Sequence, residues 1–217
     1  MGTKAFIFDL DGVIVDTAKY HYLAWRELAH HLGFDFTKEQ NEQLKGVSRV
    51  RSLEILLNIG NVQLDEETKS KLLLEKNEQY LEYIAKMDHS EILPGIEQLL
   101  QFLKKKKIPF ALGSASKNAR LILETLDLID LFDAIVDGND VSTAKPDPEV
   151  FLIAAEKLKA DPSDCIVIED AQAGIEAANS ARMTSIGIGD PTVLNEADYT
   201  FGSTSELTLD FIKKLIA

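Results

Sequence analysis

"FIFDLDGVIVDT", residues 6–17, decides how the rest of the chain is read. Phe6-Ile7-Phe8 is a short apolar run of the kind that forms a buried strand. It ends on Asp9; one leucine follows, and then Asp11. Two residues apart on an extended chain, the two carboxylates project to the same side at about 6–7 Å. At an effective dielectric near 20, like charges at that separation repel by roughly 2–3 kcal/mol. Taken alone, Asp-Leu-Asp-Gly also reads as a turn in which Gly12 supplies a positive φ. The sequence downstream decides between these readings.

Strand-like apolar runs recur at 4–8, 108–112, 134–136, 165–168 and 184–187. Between most of them lie helical repeats: Ile96, Leu99, Leu100 and Leu103; Leu121, Ile122 and Leu126; Val150, Phe151, Ala154 and Leu158. Continuous apolar strands alternating with amphipathic helices predict an α/β fold, a Rossmann-like doubly wound parallel sheet with helices on both faces. One gap interrupts the alternation. Residues 17–32, 38–44, 48–59 and 65–86 read as helices, with breaks at Gly33 and at Asn58-Ile59-Gly60-Asn61. A chain of 217 residues accommodates a core domain plus an insert. The prediction is a discontinuous core of residues 1–15 and 92–217 with an all-helical cap domain, 16–91, inserted after the first strand. The hinges fall near Val15-Asp16 and near 90–94.

Ligands of open α/β sheets bind outside the carboxyl ends of the strands. Asp9 and Asp11 follow the first strand and Ser114 follows the second. Asp137-Gly138-Asn139-Asp140, and later Lys145, follow the third, and Glu169-Asp170 follow the fourth. The second acidic pair favours a metal over a plain turn. Hard oxygen ligands, few in number, with room for water and a phosphate suit Mg²⁺. Asp9, rigidly held at the strand end, is placed to attack phosphorus and form an acyl phosphate. Asp11, one pleat further on, is placed as general acid and base. Ser116-Lys117-Asn118 reads either as a helix opening that binds an anion or as an ordinary N-cap. Lys145 alone is a surface lysine; among carboxylates it balances charge around a phosphoryl group. His21 and Trp25 share a helix face with Leu28 and Leu32, a pattern that by itself describes packing. Arg49, near a helix start, is placed to grip a phosphate.

Composition narrows the partners. A formal net charge of −13 argues against nucleic acid or an anionic membrane surface. With Cys165 as the single cysteine no intramolecular disulfide is possible, which fits a reducing cytoplasm. Cys165 opens an apolar run and reads as a buried thiol. The apolar stretch 5–8 is cut by Asp9, so no secretory leader is expected, and no stretch is apolar enough to span a bilayer. Lys104 to Lys107 read as a solvated helix end.

Asp9-Leu10-Asp11-Gly12-Val13, Ser114, Lys145 and Glu169-Asp170, in this order and after these strands, resemble the four motifs of the haloacid dehalogenase superfamily. The stretches Asp16-Thr17, His21 with Trp25, Leu44 to Arg49 with Ser52, and Ser114 to Asn118 are similar to its sugar-phosphate mutases. The resemblance implies isomerisation of β-D-glucose 1-phosphate to glucose 6-phosphate through an aspartyl phosphate and glucose 1,6-bisphosphate. A sugar-phosphate phosphatase of the same superfamily is the alternative. By resemblance, Asp9 is the nucleophile and Asp11 the general acid/base, with Thr17 and His21 among the catalytic set. Mg²⁺ is implied on Asp9, the backbone carbonyl of Asp11 and Asp170, with Glu169 close by. Ser114 and Lys145 hold the transferring phosphoryl group. Arg49, Ser116, Lys117 and Asn118, with Ala115 beside them, hold the substrate's other phosphate. Lys76 and His21 sense the sugar, and Trp25, Lys45, Gly46, Val47, Ser48 and Ser52 line its site. The partner is a small-molecule sugar phosphate, with no nucleic acid or membrane, and the expected state is a monomer.

Overall fold

The structure is a computed structural model and describes residues 4–44 and 47–216. In chain order, β1 is Ala5–Phe8, followed by α1 (Ala18–His31), α2 (Lys38–Asn41), α3 (Arg49–Gly60) and α4 (Glu66–Ile84). Then come α5 (Ile96–Lys106), β2 (Phe110–Gly113), α6 (Ala119–Thr125), β3 (Ala134–Val136), α7 (Glu149–Leu158) and β4 (Cys165–Glu169). The chain closes with α8 (Gln172–Ser180), β5 (Thr184–Ile188), β6 (Tyr199–Phe201) and α9 (Leu209–Leu215).

The strands form one sheet in the order β3-β2-β1-β4-β5-β6, every pair parallel. β1 is central and fully buried, which explains its unbroken apolar sequence. The chain first winds outward through β2 and β3, then returns to the other side of β1 with β4. That reversal opens a crevice at the carboxyl ends of β1 and β4. Two apolar clusters cover the two faces. One holds Phe6, Phe8, Leu99, Leu103, Phe110 and Ile168; the other holds Ile7, Val136, Phe151, Val167 and Ala177.

Helices α1 to α4 have a cluster of their own, with Trp25, Leu28, Phe36, Leu53, Leu56 and Leu72. Local sequence sets their limits. Thr37 and Gln40 form a capping box on α2, and the Ser48 side chain accepts from Arg51 N at the start of α3. Asn61, with φ 51°, ends α3, and the Asp65 side chain accepts from Thr68 N at the start of α4. The two chain crossings between this segment and the sheet run side by side. Asp16 N donates to Glu91 O and Leu93 N donates to Ile14 O, each at 2.9 Å. Glu91 also takes Lys19 Nζ and Tyr20 Oη, each at 2.6 Å.

Three readings need correction. The second strand begins at Phe110, not at 108: Pro109 has no N–H, and its carbonyl alone joins the ladder by accepting from Phe6 N. The helix read at 38–44 is α2 followed by a 3₁₀ turn over Glu42–Leu44. The helix expected to open at Ser116 starts at Ala119, and Ser116 Oγ accepts from Asn118 N in the turn ahead of it. β6, at the sheet edge, was absent from the sequence reading. Among the described residues no helix is long and apolar enough to cross a membrane.

Candidate active site

The site is built at the carboxyl end of β1. Asp9 N donates to Ile168 O of β4 at 2.9 Å, fixing the first carboxylate at the crevice. The chain then folds back tightly, with Ile14 N and Val15 N both donating to Leu10 O. Gly12, at φ 80°, allows that turn, and a Cβ there would run into the Asp170 carboxylate. The close approach keeps Asp170 against β1. Asp9, Glu169 and Asp170 each offer a ligand oxygen, the three lying within 4.8 Å of one another. Three hard carboxylate donors in that space fit a divalent cation.

Lys145 comes from the loop after β3 and enters this acidic centre. Its Nζ lies 2.6 Å from Asp9 Oδ1, 2.5 Å from Glu169 Oε1 and 3.1 Å from Gly113 O, over the Phe151 ring. Glu169 also accepts from Ala171 N at 2.8 Å and is fully buried, so its carboxylate is held on both oxygens. Burial pushes the Asp9 carboxyl up to about 7, with Lys145 opposing and Glu169 and Asp11 adding to the rise. Burial alone would depress the Lys145 ammonium; the Asp9 and Glu169 carboxylates more than reverse this and hold it raised. Ser114 N is tied to Val136 O at 3.0 Å, and its Oγ accepts from Ser116 N at 3.1 Å.

Facing this centre, across a cavity of about 460 Å³, lies the wall contributed by α1, α3 and α4. Asp11 Oδ1 accepts from Thr17 Oγ1, and Asp11 Oδ2 lies 4.0 Å from His21 Nε2. Lys76 Nζ lies 3.0 Å from His21 Nδ1 and sits over the rings of Trp25, at 4.6 Å, and Tyr80, at 4.7 Å. Burial lowers the Lys76 ammonium to about 7, Arg49 adding to the shift and Asp11 opposing it. His21 is held well below its ordinary value by burial and by the Lys76 and Arg49 charges. A neutral imidazole that accepts from Lys76 at Nδ1 carries its proton on Nε2, the nitrogen facing Asp11. Arg49, the first residue of α3, has no ion pair among the described residues. Asn118 Nδ2 donates to Asn77 Oδ1 of α4 at 2.9 Å, bridging the two walls.

Most residues singled out in the sequence meet in this one cavity. Asp9, Asp11, Ser114, Ala115, Ser116, Lys117, Asn118, Lys145 and Asp170 line one side; His21, Trp25, Val47, Ser48, Arg49, Ser52 and Lys76 line the other. Thr17 and Glu169 stand behind the lining, fully buried, each bonded to a residue that is in it. Lys45 and Gly46 lie outside the described residues. The sequence reading missed Tyr80, Asn41 and the loop residues Val141 to Ala144, all of which line the cavity. Tyr80 had a usable signal: it lies four residues after Lys76, on the same face of α4.

The crevice places the chain in a class: α/β enzymes that work from carboxylates at the switch point of a parallel sheet. More narrowly, it belongs to the haloacid dehalogenase-like hydrolase family, whose model matches residues 3–182. The chain is 45% identical over 211 residues to the β-phosphoglucomutase of Bacillus subtilis (strain 168), spanning 96% of this chain and 93% of that one. It superposes with TM-score 0.94 on the crystal structure of β-phosphoglucomutase from Clostridium difficile, at 46% identity over 99% of this chain and 97% of the other. It is also 30% identical over 220 residues to a phosphorylated carbohydrates phosphatase of Thermotoga maritima, spanning 98% of this chain and 100% of that one.

Proposed function

We propose that this enzyme is a phosphomutase that converts β-D-glucose 1-phosphate into glucose 6-phosphate through an aspartyl phosphate on Asp9. One observation carries the reading. A single cavity has a nucleophile and phosphoryl-balancing lysine on one wall and, as a second anion-binding region, Lys117 with Arg49, which has no ion pair among the described residues. A bisphosphate that presents either end to Asp9 needs both.

In this reading residues 16–91 are a cap over the core of 1–15 and 92–217, hinged where Asp16 and Leu93 pair with Glu91 and Ile14. Phosphorylated Asp9 receives the C6 hydroxyl of β-D-glucose 1-phosphate. Asp11 takes the hydroxyl proton as oxygen bonds to phosphorus and the acyl-phosphate bond breaks, giving the 1,6-bisphosphate. The bisphosphate turns end for end. Asp9 then attacks the C1 phosphorus, and Asp11 returns the proton to the departing C1 oxygen. Ser114 and Lys145 hold the reacting phosphoryl group; Arg49, Ser116, Lys117 and Asn118 hold the other phosphate. His21 and Lys76, at 3.0 Å, form the pair that meets the sugar, alongside Trp25 and the stretch from Val47 to Ser52. Asp9, the Asp11 carbonyl and Asp170 would hold Mg²⁺, with Glu169 bracing Lys145 beside them. Bound there, the ion would supply positive charge that offsets the carboxylates and polarises the phosphoryl oxygens. The closed cap excludes water from the acyl phosphate. Both walls come from one chain, so a monomer suffices. The buried Cys165 thiol, which burial pushes up to about 11, suits a cytoplasmic protein without disulfides.

The test supplies the protein with Mg²⁺, β-D-glucose 1-phosphate and a trace of the 1,6-bisphosphate. Glucose 6-phosphate is the expected product. Inorganic phosphate in its place would make the protein a sugar-phosphate phosphatase.

A further inference from the structure

Of the four residues of α2 only Asn41 is buried, at 7% exposure. The chain on either side is anchored by apolar residues, Phe36 before it and Leu44 after it, both in the cluster that α1 to α4 share. An apolar side chain at 41 would extend that cluster. The sequence has an amide there instead, and its Oδ1 is buried and makes no hydrogen bond among the described residues. A buried acceptor with no donor destabilises a fold. A donor from outside the chain gives the amide a use.

Its place in the fold supplies one. Asn41 lines the same cavity of about 460 Å³ as Asp9 and Arg49. Its backbone is held there: Asn41 N donates to Thr37 O at 3.1 Å, and Thr37 and Gln40 close the capping box of α2. The chemistry of the cavity then selects the partner. The Arg49 guanidinium and the ammonium groups of Lys117 and Lys145 only donate, and they suit phosphate oxygens, which accept. An amide oxygen repels a phosphate oxygen and needs a proton to accept. Asp9 and Asp11 also accept, but Lys145 and Thr17 already donate to them. In a glucose bisphosphate the hydroxyls at C2, C3 and C4 carry no phosphate and take no part in the transfer. Each has a proton to give.

We propose that Asn41 is a specificity-determining residue whose side-chain oxygen accepts one ring hydroxyl of the bound sugar. Cations grip the two phosphates, and Asn41 tests the carbons between them. Binding sugar supplies the donor that the folded chain withholds, so a sugar lacking that hydroxyl leaves the buried oxygen unpaired and is rejected. The inference deepens the phosphomutase reading above and rests on it for the identity of the sugar.

Asn41→Leu tests it with β-D-glucose 1-phosphate and its 2-, 3- and 4-deoxy analogues, each supplied with Mg²⁺ and a trace of glucose 1,6-bisphosphate. Consumption of the sugar 1-phosphate is followed, whichever acceptor takes the phosphoryl group. For one analogue the wild type should show kcat/KM about tenfold below that of the parent sugar, the size of one ordinary hydrogen bond. In Asn41→Leu the parent should fall to the level of that analogue while the analogue itself is unchanged, so the gap closes. Tm should be unchanged or raised, since an unpaired buried oxygen is replaced by an apolar group. A gap that persists in the variant, a loss shared equally by all four sugars, or a wild type indifferent to every deoxy sugar would overturn the proposal. Asn41→Ala is the second variant and should close the same gap. If neither variant folds, the amide serves the fold and the proposal fails. The products are identified separately. Inorganic phosphate alone from the wild type would remove the mutase reading, while the gap between sugars would still decide the role of Asn41.

Discussion

Lys145 reaches Asp9 at 2.6 Å and Glu169 at 2.5 Å with its ammonium buried, so one cation answers two carboxylates while Asp11 and Asp170 stand close by. Burial pushes the Asp9 carboxyl up to about 7, with Lys145 opposing and Glu169 and Asp11 adding to the rise. A carboxyl raised on folding keeps a proton that the unfolded chain has lost. Its contribution to stability is therefore fully present below the ordinary value of 3.8 and is lost as pH rises through about 7. A divalent cation needs the ionised form. Mg²⁺ should accordingly raise Tm more at pH 8, where Asp9 has given up its proton, than at pH 5. Calorimetry of the metal-free protein with and without MgCl₂ at the two pH values measures this. Equal shifts at both would mean that Asp9 is not the titrating ligand.

At the scale of the elements, the link between β4 and α8 is the tightest constraint. The Glu169 side chain is fixed by Lys145 and Ala171 N, and a Cβ on Gly174, in the first turn of α8, would fall on its carboxyl group. Gly174→Ala should therefore cost about 1–3 kcal/mol through overpacking. At roughly 2–4 °C per kcal/mol for a chain of this size, Tm should drop measurably, and turnover should fall as Lys145 shifts. A variant that melts with the wild type and keeps its turnover would show that Glu169 is free to move. β1 and β4 were legible in the sequence because both faces are buried and every residue is apolar up to the acids at their ends. β6 was not: Tyr199-Thr200-Phe201 is a short edge strand that is partly exposed, and only its pairing with β5 reveals it. The helices of the insert were legible between the breaks at Gly33 and at Asn58-Ile59-Gly60-Asn61. Tyr80 was overlooked, because a tyrosine on an amphipathic helix reads as packing until the fold puts its ring in the cavity wall. The grip of Lys145 on Glu169 was equally hidden, since loop and strand meet only in the folded chain.

Across the whole molecule, a net charge of −13 surrounds a cavity that gathers Arg49, Lys76, Lys117 and Lys145. Such a cavity holds an anionic sugar against the field of the rest of the protein. Helices α1 to α4 have their own apolar cluster, and two chain segments, 14–16 and 91–93, bonded to each other through their backbones, join them to the sheet. This is the construction a closing cap requires. In the proposed mechanism a closed cap would let the acyl phosphate meet a sugar hydroxyl in preference to water, and that choice of acceptor separates a mutase from a phosphatase. The most direct measurement follows a labelled phosphoryl group through one turnover. Enzyme carrying ³²P on Asp9 is mixed with unlabelled β-D-glucose 1-phosphate and Mg²⁺, and the products are separated. The account predicts that the label appears at the C6 position of glucose 6-phosphate, while the substrate's own phosphate remains on the enzyme. Label released chiefly as inorganic phosphate would contradict it.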